Sequence, residues 1–596
     1  YCLFGVLLYK FLKPKYKENI SLAVTILTMC AAPILFHLHR HFMFVNYLPF
    51  LILGLIGVDR YFESGKRYII SISIFLIIMT SYYFSVFGIG VICIYGLYKY
   101  LESTEIIKFK VLIKEMVKFL VPVFIGILLS CILLLPTIYV LKTGRAEVSK
   151  TISLANYFIP HFGAEFFLYS NYGLGLTSIA MIGLFSFICS EKKEKKCLGI
   201  LLLLILTVPL FIYLLNGNLY YRGKVLIPAI PLFSIIIADL LTNIVEKKIE
   251  IKKLLFIVTL CILASLLSLY FNIVFYIEIV CMILIIYFYY KEYTNKKMLI
   301  LVIMIPALIT VYVSNAFENY VFSSTKGRDQ KTSADIEKVL KKEKNLVRFN
   351  NLDDTLSNVN EVYITKYNQD SLYSSVSNPL YKAFYTKVFK NALSYRNNLV
   401  LAQNNDILFQ TFMGVKYIYS KEGVPIGYEK IADNIYKNNN VLPVFYGTDD
   451  LTSKKVFDRL NYPYNIGTLL NSVVGKSTKD ATNTIEEIPL NYNVEKEERV
   501  QISKNDKYIK VKSKGNGRIV LHTNQKLDEE ILIIQFKLKD TPDCKKGDAR
   551  ITINGISNTL TCKQWIYKNN NKVFNYVISS NKDLSKLEIL FDKGVY

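Results

Sequence analysis

The sequence predicts a polytopic α-helical membrane domain followed by a β-rich domain outside the cell that ends in a β-sandwich. Hydrophobic residues make up 52% of the 596 residues. They are concentrated in long apolar runs within residues 1–317, where short charged segments separate one run from the next. Residues 318–596 mix polar and apolar residues as water-soluble domains do. We therefore expect a multi-span domain over 1–317, an α/β or β-rich domain over 318–494 and a β-sandwich over 495–596.

A membrane-spanning helix needs about 20 mainly apolar residues, or somewhat fewer when it packs inside a bundle. About a dozen segments meet this condition, and the first is cut short by the start of the sequence. The segments are 1–12, 20–38, 44–58, 68–82, 84–101, 117–140, 173–190, 197–215, 225–245, 254–271, 273–290 and 298–317. Two pairs form continuous apolar runs, so we divide them at the aromatic cluster Tyr82-Tyr83-Phe84 and near Asn272.

Lysine and arginine are distributed unequally between alternate connecting loops. The inner loops hold 23 of these residues; they are 10–17, 59–67, 99–118, 191–196, 246–253 and 291–297. The outer loops hold 6; they are 39–43, 82–85, 141–172, 216–224 and 271–273. Because cytoplasmic loops carry the excess of positive charge, we expect the inner loops in the cytoplasm and everything after Phe317 outside the cell. This topology accounts for a net charge of +24 without nucleic acid, for which no binding signature is present.

The half of the chain that follows the spans reads as soluble protein. Residues from 318 form a predicted linker that leads into an amphipathic helix over 333–343. Segments rich in β-branched and aromatic residues then predict strands at 346–351, 361–368, 414–420 and 441–447. From about residue 495, apolar and polar residues alternate as in an antiparallel sandwich. Cys544 and Cys562 could pair outside the cell, provided that their sulfur atoms lie close together.

The first candidate site is the group His37, His39, Arg40 and His41, at the outer end of a predicted span. Imidazole nitrogens can bind zinc, but no carboxylate or cysteine is nearby and no Cys/His spacing of a metal site occurs. We therefore predict no metal site. Cationic side chains here either bind an anion or a sugar, or simply face lipid headgroups. We predict that Arg40 and His41 bind substrate.

The second candidate site is NGNLYYRGKVLIP, residues 216–228. Arg222 and Lys224 lie at the outer mouth of a span, against the inner bias of positive charge, so we expect a partner to offset their cost. A lipid-carrier phosphate is suitable, because a guanidinium can bind phosphate through two hydrogen bonds. The alternative is an interfacial belt of Tyr221, its neighbouring tyrosine and snorkelling cations. Two prolines early in the following span lead us to expect the Arg222 side chain packed within the bundle.

The third candidate site is the outer loop 141–172, which is long enough for an amphipathic helix on the membrane surface. It carries His161, a predicted substrate contact, and Glu165, which could act as a general base. The alternative for Glu165 is an ordinary surface carboxylate on an interfacial helix. No Ser/His/Asp arrangement, phosphate-binding loop or dinucleotide fingerprint is present, and no cofactor is identified.

Several stretches, taken together in their order and spacing, resemble the YfhO family of bacterial membrane proteins. They are HRHFMFVNYLPFLILGLIGVDRYFESGKRY, TSYYFSVFG, NLYYRGKVLIPAIPLFSI, LVRFNN, DSLYSSVSNPLYKAFY, MGVKYIYS and NNNVLPVFYG. The resemblance implies a GT-C-like membrane glycosyltransferase that moves a sugar from a polyprenyl-phosphate donor to a cell-envelope polymer such as lipoteichoic acid. GT-C enzymes carry their acidic base in the first outer loop, so we expect the catalytic acid upstream of Tyr1. The family typically has Asp where this sequence has Asn46.

Two other functions stay open at this point. One is a transporter or flippase of a lipid-linked envelope precursor, and the other is a non-enzymatic membrane protein that binds envelope polymer. Transporters have internal repeats and broken helices at mid-membrane depth; no repeat is evident, and charged residues within the spans are nearly limited to Asp239 and Glu278. The expected partners are a lipid-linked sugar donor, an envelope polymer as acceptor and membrane lipid. The expected location is the cell membrane, with the C-terminal domain extracellular.

Overall fold

The computed structural model describes most of the chain. The described residues are 1–106, 108–145, 154–218, 220–268, 272–305, 330–353, 359–394, 396, 398–401, 406–421, 424–476, 484–523, 530–579 and 585–596. The chain divides into two compact units. Unit 1 comprises Tyr1–Ile138 and Thr151–Gly327, and unit 2 comprises Tyr139–Lys150 and Arg328–Tyr596. The predicted span 298–317 is described only to residue 305, and the predicted linker before residue 330 lies outside the described residues.

Unit 1 is helical over its described residues. Its helices are α1 (Cys2–Leu12), α2 (Glu18–Met29), α3 (Ala32–His39), α4 (Leu48–Ser64), α5 (Tyr68–Thr80), α6 (Tyr82–Ser103), α7 (Phe109–Leu129), α8 (Cys131–Gly144, which continues into unit 2), α9 (Ala155–Phe158), α10 (Ala164–Phe167), α11 (Ser178–Ile188), α12 (Lys193–Thr207), α13 (Pro209–Leu215), α14 (Ile230–Val245), α15 (Ile251–Leu267), α16 (Ile273–Tyr290) and α17 (Lys296–Ile303). Short 3-10 helices cover Phe42–Phe44 and Gly223–Ala229. The prediction of several apolar helices in this half is confirmed.

Both predicted divisions of the continuous apolar runs fall close to where we expected them. Helix α5 ends at Thr80 and α6 begins at Tyr82, so the break lies at Ser81. Asn272 precedes α16, and its side chain accepts a hydrogen bond from the Val274 amide at 2.9 Å. A side chain that caps free amides is a typical helix start, which explains why the apolar run is interrupted there.

The number of membrane spans is smaller by length and composition than the dozen segments suggest. Four described helices are long and apolar enough to cross a membrane: Phe42–Ser64, Tyr82–Ser103, Gly223–Val245 and Ile273–Tyr290. The number rises to seven if each bent pair counts as one span. Those pairs are Glu18–Met29 with Ala32–Leu38 (56°), Phe109–Leu129 with Cys131–Gly144 (70°) and Lys193–Thr207 with Pro209–Leu215 (78°). Proline lies just after two of these breaks, at Pro33 and Pro209, where it ends hydrogen bonding to the preceding turn.

The core of unit 1 is built around α14, nearly all of whose residues are buried. Close packing relies on small residues. A Cβ on Gly183 of α11 would lie 2.7 Å from the Ile236 side chain of α14, and one on Gly54 of α4 would lie 2.6 Å from Ile92 of α6. Membrane helices associate through such small-residue contacts, because small residues let the backbones approach closely, whereas larger apolar side chains pack as well against lipid tails as against another helix.

The predicted inner loops meet at one end of unit 1, where charged side chains join them. The ion pairs are Lys15–Asp59 (2.5 Å), Lys17–Glu246 (2.6 Å), Lys195–Asp239 (2.5 Å) and Lys247–Glu292 (3.1 Å). Asp59 is buried and also accepts from the Tyr95 hydroxyl at 2.7 Å. Loops that the charge count assigned to one side therefore contact each other in space.

Unit 2 combines helices with several sheets over its described residues. Its helices are α18 (Gln330–Lys342), α19 (Pro379–Ala383), α20 (Ile407–Phe412), α21 (Lys454–Phe457) and α22 (Tyr464–Asn471). A π-helix covers Phe384–Val388 and a 3-10 helix covers Cys544–Lys546. Its strands are β1 (Arg348–Asn351), β2 (Leu372–Tyr373), β3 (Leu399–Val400), β4 (Val415–Tyr419), β5 (Tyr428–Ala432), β6 (Ile435–Asn438), β7 (Leu451–Ser453), β8 (Val473–Gly475), β9 (Tyr492–Lys504), β10 (Ile509–Thr523), β11 (Leu532–Lys537), β12 (Ala549–Ile553), β13 (Ile556–Leu560), β14 (Val573–Ile578), β15 (Lys586–Phe591) and β16 (Gly594–Val595).

The first sheet of unit 2 has the order β1-β4-β6-β5, with β1 and β4 parallel. Its core includes Ile336 and Leu340 of α18, so the predicted amphipathic helix is confirmed. The predicted strands at 346–351 and 414–420 are also confirmed. The predictions of strands at 361–368 and 441–447 are wrong, since neither segment contains strand residues. The aromatic residues of 361–368 serve packing instead: Tyr363 and Tyr367 lie 4.8 Å apart, ring to ring, beside β1.

The C-terminal part is β-rich, as predicted. A six-stranded sheet has the order β13-β12-β15-β10-β16, with β9 paired to β10, and β11 pairs with β14 in a second sheet. Side chains from both sheets form one core. Cys544 and Cys562 form a disulfide with Cα atoms 4.9 Å apart. Asparagine side chains also bind this part to the rest of unit 2: Asn571 accepts from the Leu393 amide at 3.3 Å, and Asn569 donates to the Ser394 carbonyl at 2.9 Å.

Candidate functional site

The predicted outer loops meet at the other end of unit 1. Hydrogen bonds join segments 37–46, 80–83, 161–172 and 207–224, which are far apart in the sequence. They run from His37 Nε2 to the Asn171 carbonyl (2.9 Å), from Ser81 Oγ to the Met43 carbonyl (3.1 Å), from the His161 amide to the Thr207 carbonyl (2.7 Å) and from the Tyr83 hydroxyl to Asn216 Oδ1. These four segments contain every site residue predicted from the sequence.

Two histidines form the centre of the first group of side chains. His37 is fully buried, and because its Nε2 donates to Asn171, its Nδ1 is left as an acceptor. The His41 ring lies 5.4 Å from the His37 ring, centroid to centroid. Both Nδ1 atoms are buried, and neither has a hydrogen-bond partner among the described residues. Phe44 stacks on His41 at 5.2 Å. This end of unit 1 therefore holds two buried imidazole nitrogens that have no hydrogen-bond partner among the described residues.

Two permanent cations lie around these histidines. The Arg40 guanidinium lies 4.9 Å from the Phe36 ring. The Lys224 ammonium lies 5.2 Å from the Phe44 ring and 4.9 Å from the Tyr83 ring. Because Phe44 contacts both His41 and Lys224, the two predicted sites share one aromatic wall. The term outer cluster is used below for His37, Arg40, His41, Phe44 and Lys224.

Asn46 follows Phe44 of the outer cluster in the sequence, at the position where the resemblance implied an Asp. Its Nδ2 is 3.4 Å from the Thr80 carbonyl, and its Oδ1 is buried without a partner among the described residues. The amide thus keeps one hydrogen bond to the end of α5 and leaves one buried acceptor unsatisfied.

The second group of side chains contains His161, Glu165 and Tyr221. His161 Nε2 lies 3.5 Å from Glu165 Oε1, and both side chains are about 40% exposed, at 44% and 39%. Tyr221 lies 5.3 Å from the Phe166 ring, and its hydroxyl is buried without a described partner. The expectation of one long amphipathic helix is wrong for residues 154–172, which form only the four-residue helices α9 and α10. Residues 146–153 lie outside the described part.

Arg222 lies between the two groups, and its side chain is exposed. The backbone at Arg222 is extended (φ −144°, ψ 126°), so consecutive side chains point to opposite sides. Tyr221 and Gly223 face Phe166, where a Cβ on Gly223 would come within 2.5 Å of the ring. The expectation that the guanidinium packs within the bundle is therefore wrong. Of these two cations, Lys224 is the one whose side chain is partly buried.

A metal centre at this end of unit 1 would require several ligand side chains close together. Among the described residues there is no group of three or more His, Cys, Asp or Glu side chains that could hold a metal ion. The His39 side chain lies outside the described part. The pair His37 and His41 supplies only two imidazoles, fewer than the three or four protein ligands of zinc sites.

A family model described as "Bacterial membrane protein YfhO" matches residues 1–596. The chain belongs to the YfhO family. The resemblance inferred from the sequence is thereby confirmed, and the family description identifies this YfhO protein as a bacterial membrane protein. No curated protein matches the chain.

Two solved structures are similar to this YfhO protein over almost its whole length. Both are of the arabinofuranosyltransferase AftD from Mycobacteria, one of them a mutant form. The first is 9% identical to this chain, with a TM-score of 0.37. The match covers 100% of this chain and 50% of the AftD chain. The second is 8% identical, with a TM-score of 0.38. The match covers 99% of this chain and 53% of the AftD chain. The chain thus spans about half the length of these proteins, and likeness at this level carries no argument about its activity.

One buried group at this end of the YfhO chain was noted in the sequence as a charge but not as a site residue. Glu278 of α16 is 5% exposed, and its Oε2 accepts from the Tyr169 hydroxyl at 2.5 Å and from the Ser178 amide at 3.1 Å. Its Oε1 has no partner among the described residues. Tyr169 belongs to the segment whose tip, Asn171, binds His37. A lone acid within an apolar run was the only signal in the sequence.

Proposed function

We propose that this YfhO protein is a membrane glycosyltransferase that transfers a sugar from a polyprenyl-phosphate donor to a cell-envelope polymer such as lipoteichoic acid, on the outer face of the membrane. Membership of the YfhO family supports a membrane location, and the resemblance set out from the sequence supports the reaction class. The observation that carries the proposal is the convergence of His41 and Lys224, from two distant segments, on the Phe44 ring, with Arg40 over the neighbouring Phe36 ring.

The chemistry of the transfer explains why cations are needed there. An acceptor hydroxyl attacks the anomeric carbon, the bond from that carbon to the phosphate oxygen breaks, and polyprenyl phosphate leaves with an additional negative charge. A base takes the hydroxyl proton. Cationic side chains that face the leaving phosphate stabilise the charge that develops in the transition state. Lys224 and Arg40 would hold the phosphate, and the half-buried His41 stays a predicted substrate contact beside them.

The base stays a prediction. Glu165 is the candidate carboxylate in the outer loops, and its contact with His161 at 3.5 Å would orient it. The alternative inferred from the resemblance is an acid upstream of Tyr1. Arg222 and Tyr221 stay predicted substrate contacts at the mouth of the site, where the exposed guanidinium of Arg222 could reach a phosphate from solution.

The test is sugar transfer by the full-length protein in membranes, with a radiolabelled polyprenyl-phosphate sugar as donor. We expect Lys224→Gln to lower transfer at least about tenfold, since a charge-assisted contact to phosphate is removed. Lys253→Gln is the matched control, because Lys253 is an exposed lysine at the opposite end of unit 1. Equal activity of the two variants would contradict the phosphate-binding role of the outer cluster, and absence of any transfer by the parent protein would contradict the reaction.

One observation favours the transporter alternative. Three helix pairs are bent by 56°, 70° and 78°, and helices interrupted in this way line the binding sites of many transporters. Proteoliposomes that contain a fluorescent lipid-linked sugar, assayed with and without an acceptor polymer, would distinguish the two functions. Movement of the lipid between leaflets without transfer of sugar favours the transporter, and transfer without movement favours the transferase.

A further inference from the structure

The β9–β10 hairpin of unit 2 has an unusual charge distribution. Residues 499–514 contain six basic residues, Arg499, Lys504, Lys507, Lys510, Lys512 and Lys514, against one acid, Asp506. The half of the hairpin nearer the sheet is different, because its charges are already compensated. The pairs there are Lys496–Glu498 (2.5 Å), Arg518–Glu498 (3.5 Å), Lys586–Glu495 (3.3 Å) and Arg518 with Glu588.

The three lysines of β10 in the distal half have no such partners in the part of the chain that the structure describes. No described acidic side chain forms an ion pair with Lys510, Lys512 or Lys514, and all three side chains are exposed. They alternate with Val511 and Ser513, which are buried. Since alternate residues of a strand share one face, at a spacing of about 6.5 to 7 Å, the three ammonium groups form a regular row along the outer face of β10.

The surroundings of this row are mainly polar on β9 and include two exposed apolar residues. The cross-strand partners on β9 are Ser503 for Lys510 and Gln501 for Lys512, whereas the exposed Val595 of β16 lies opposite Lys512 and the exposed Tyr508 shares the face of Lys510. A membrane-binding surface needs a band of apolar side chains among its cations. Because cations outnumber apolar side chains along this row, it fits a polyanion in water better.

The hairpin also extends beyond the core of its sheet. Every residue from 501 to 510 is exposed, and a two-stranded ribbon without a covered face is only marginally stable in water. Excess positive charge on such a ribbon adds self-repulsion. A bound polyanion would neutralise the lysines and cover the ribbon at the same time, so charge complementarity determines the type of partner.

We propose that the lysine row of Lys510, Lys512 and Lys514 is the docking surface for a linear polyanion with one phosphodiester per repeat. The choice of polymer rests on the proposed function, for which this row would hold the acceptor chain by its backbone charges and leave its hydroxyls free. Recognition is by charge spacing and not by sugar identity. Binding is therefore strongly weakened by salt, because each ammonium–phosphate contact releases counterions.

The experiment measures binding of poly(glycerol phosphate) to the full-length chain in nanodiscs of neutral lipid, over a series of salt concentrations. The test variant carries Lys510→Gln, Lys512→Gln and Lys514→Gln. The matched control carries Lys545→Gln, Lys546→Gln and Lys563→Gln, which remove the same charge from exposed lysines around the disulfide. We expect the test variant to bind at least about tenfold more weakly and to lose about two to three units of salt slope, and the control to stay within about twofold of the parent.

Three results would overturn the proposal. They are equal weakening in both triple variants, no binding of the polymer by the parent chain, and loss in the test variant of binding to phosphatidylglycerol vesicles but not to the polymer. The unfolding curve of the test variant, followed by Trp565 fluorescence, checks that unit 2 stays folded. Failure of the proposed function would be seen separately, since the binding assay contains no donor and transfer to a single glycerol-phosphate unit does not need the lysine row.

Discussion

Two buried carboxyl groups make the stability of unit 2 depend on pH. Asp406 is 2% exposed and precedes α20, where its Oδ1 accepts from the Phe409 amide at 3.0 Å. Its Oδ2 has no partner among the described residues. Burial raises the pKa of Asp406 to about 6; the Phe409 amide and the nearby Asn391 side chain oppose this shift, and the charge of Asp370 adds to it. Neither amide atom of Asn391 reaches hydrogen-bond geometry, so the opposing effect is incomplete.

Asp370 behaves in the same way. It is buried, its Oδ1 accepts from Asn350 Nδ2 at 2.6 Å, and burial raises its pKa to about 6 against the opposing effects of Asn350 and Arg348. A carboxyl group with a raised pKa in the folded state binds protons more tightly there than in the unfolded chain. Its stabilising effect is complete below the unfolded pKa of 3.8 and is lost as pH rises through about 6. We therefore expect unit 2 to be less stable at neutral pH than at mildly acidic pH.

The perturbation that tests this is Asp406→Asn, which keeps the acceptor for the Phe409 amide and removes the charge. A shift of about two pKa units corresponds to about 3 kcal/mol. The variant should therefore be more stable than the parent by about 3 kcal/mol near pH 8, and by less than about 1 kcal/mol near pH 4. Trp565 is the single tryptophan of the chain and lies in unit 2, so its fluorescence during denaturant unfolding of the full-length protein reports this unit alone.

Two controls define the outcome. Asp449→Asn changes an exposed aspartate and should give the same stability as the parent at both pH values. Asp406→Ala removes the helix cap as well as the charge, so it should lose about 1 kcal/mol relative to Asp406→Asn at every pH. A difference between Asp406→Asn and the parent that stays constant from pH 4 to pH 8 would refute the reasoning, because a pH-independent change cannot arise from titration of this group.

Three further predictions concern unit 1 and the topology. A reporter fused after Phe317 should be active only outside the cell, and an impermeant thiol reagent should label an engineered cysteine in 141–172 but not one in 191–196; labelling of 191–196 from outside would reverse the assigned orientation. Glu278→Leu leaves a buried amide unpaired at a cost of about 1–3 kcal/mol, so hydrogen exchange in the segment that binds His37 should quicken, whereas Glu278→Gln, which keeps an acceptor, should leave it nearly unchanged. If the Arg222 guanidinium only adds charge, Arg222→Ala should weaken sugar transfer more than Arg222→Lys does. If the guanidinium binds phosphate through two hydrogen bonds, both variants should reduce transfer similarly. Full activity of both variants would limit Arg222 to a topological role.

Much of the helical half could be predicted from local pattern alone. Apolar runs marked the helices. The division predicted near Asn272 lies at the start of α16, and the one predicted at Tyr82-Tyr83-Phe84 lies next to the observed break at Ser81. The bends after α7 and α12 were missed because the apolar run continues through them, and a hydropathy average does not register a change of direction. In unit 2, segments 361–368 and 441–447 have strand composition but no strand partner. The aromatic residues of 361–368 pack against a core instead, whereas Phe445 and Tyr446 of 441–447 are exposed. β-type composition therefore does not by itself predict pairing in a sheet.

The candidate site was predictable in its location but not in its membership. Counting lysines and arginines grouped the outer loops correctly, and those loops do contact one another. Whether a given cation joins the site depends instead on single backbone angles. The chain is extended at Arg222 and enters a 3-10 helix at Gly223. Lys224 therefore turns toward Phe44 and Tyr83 while Arg222 stays exposed, although the two residues carry the same charge and lie two positions apart. The role of Glu278 was also not predictable from local sequence, since its hydrogen-bond partners Tyr169 and Ser178 are 109 and 100 residues away.

This difference between location and membership decides which variants are informative. A charge at the outer mouth that is exposed, such as Arg222, affects the rate at which an anion arrives, and this effect decreases as salt screens it. A charge that lies against aromatic walls, such as Lys224, is screened less and acts on the bound phosphate itself. Salt should therefore diminish the effect of Arg222→Ala on transfer and leave the effect of Lys224→Gln nearly intact. If both effects diminish equally with salt, Lys224 also acts from solution, and the outer cluster does not bind the leaving phosphate.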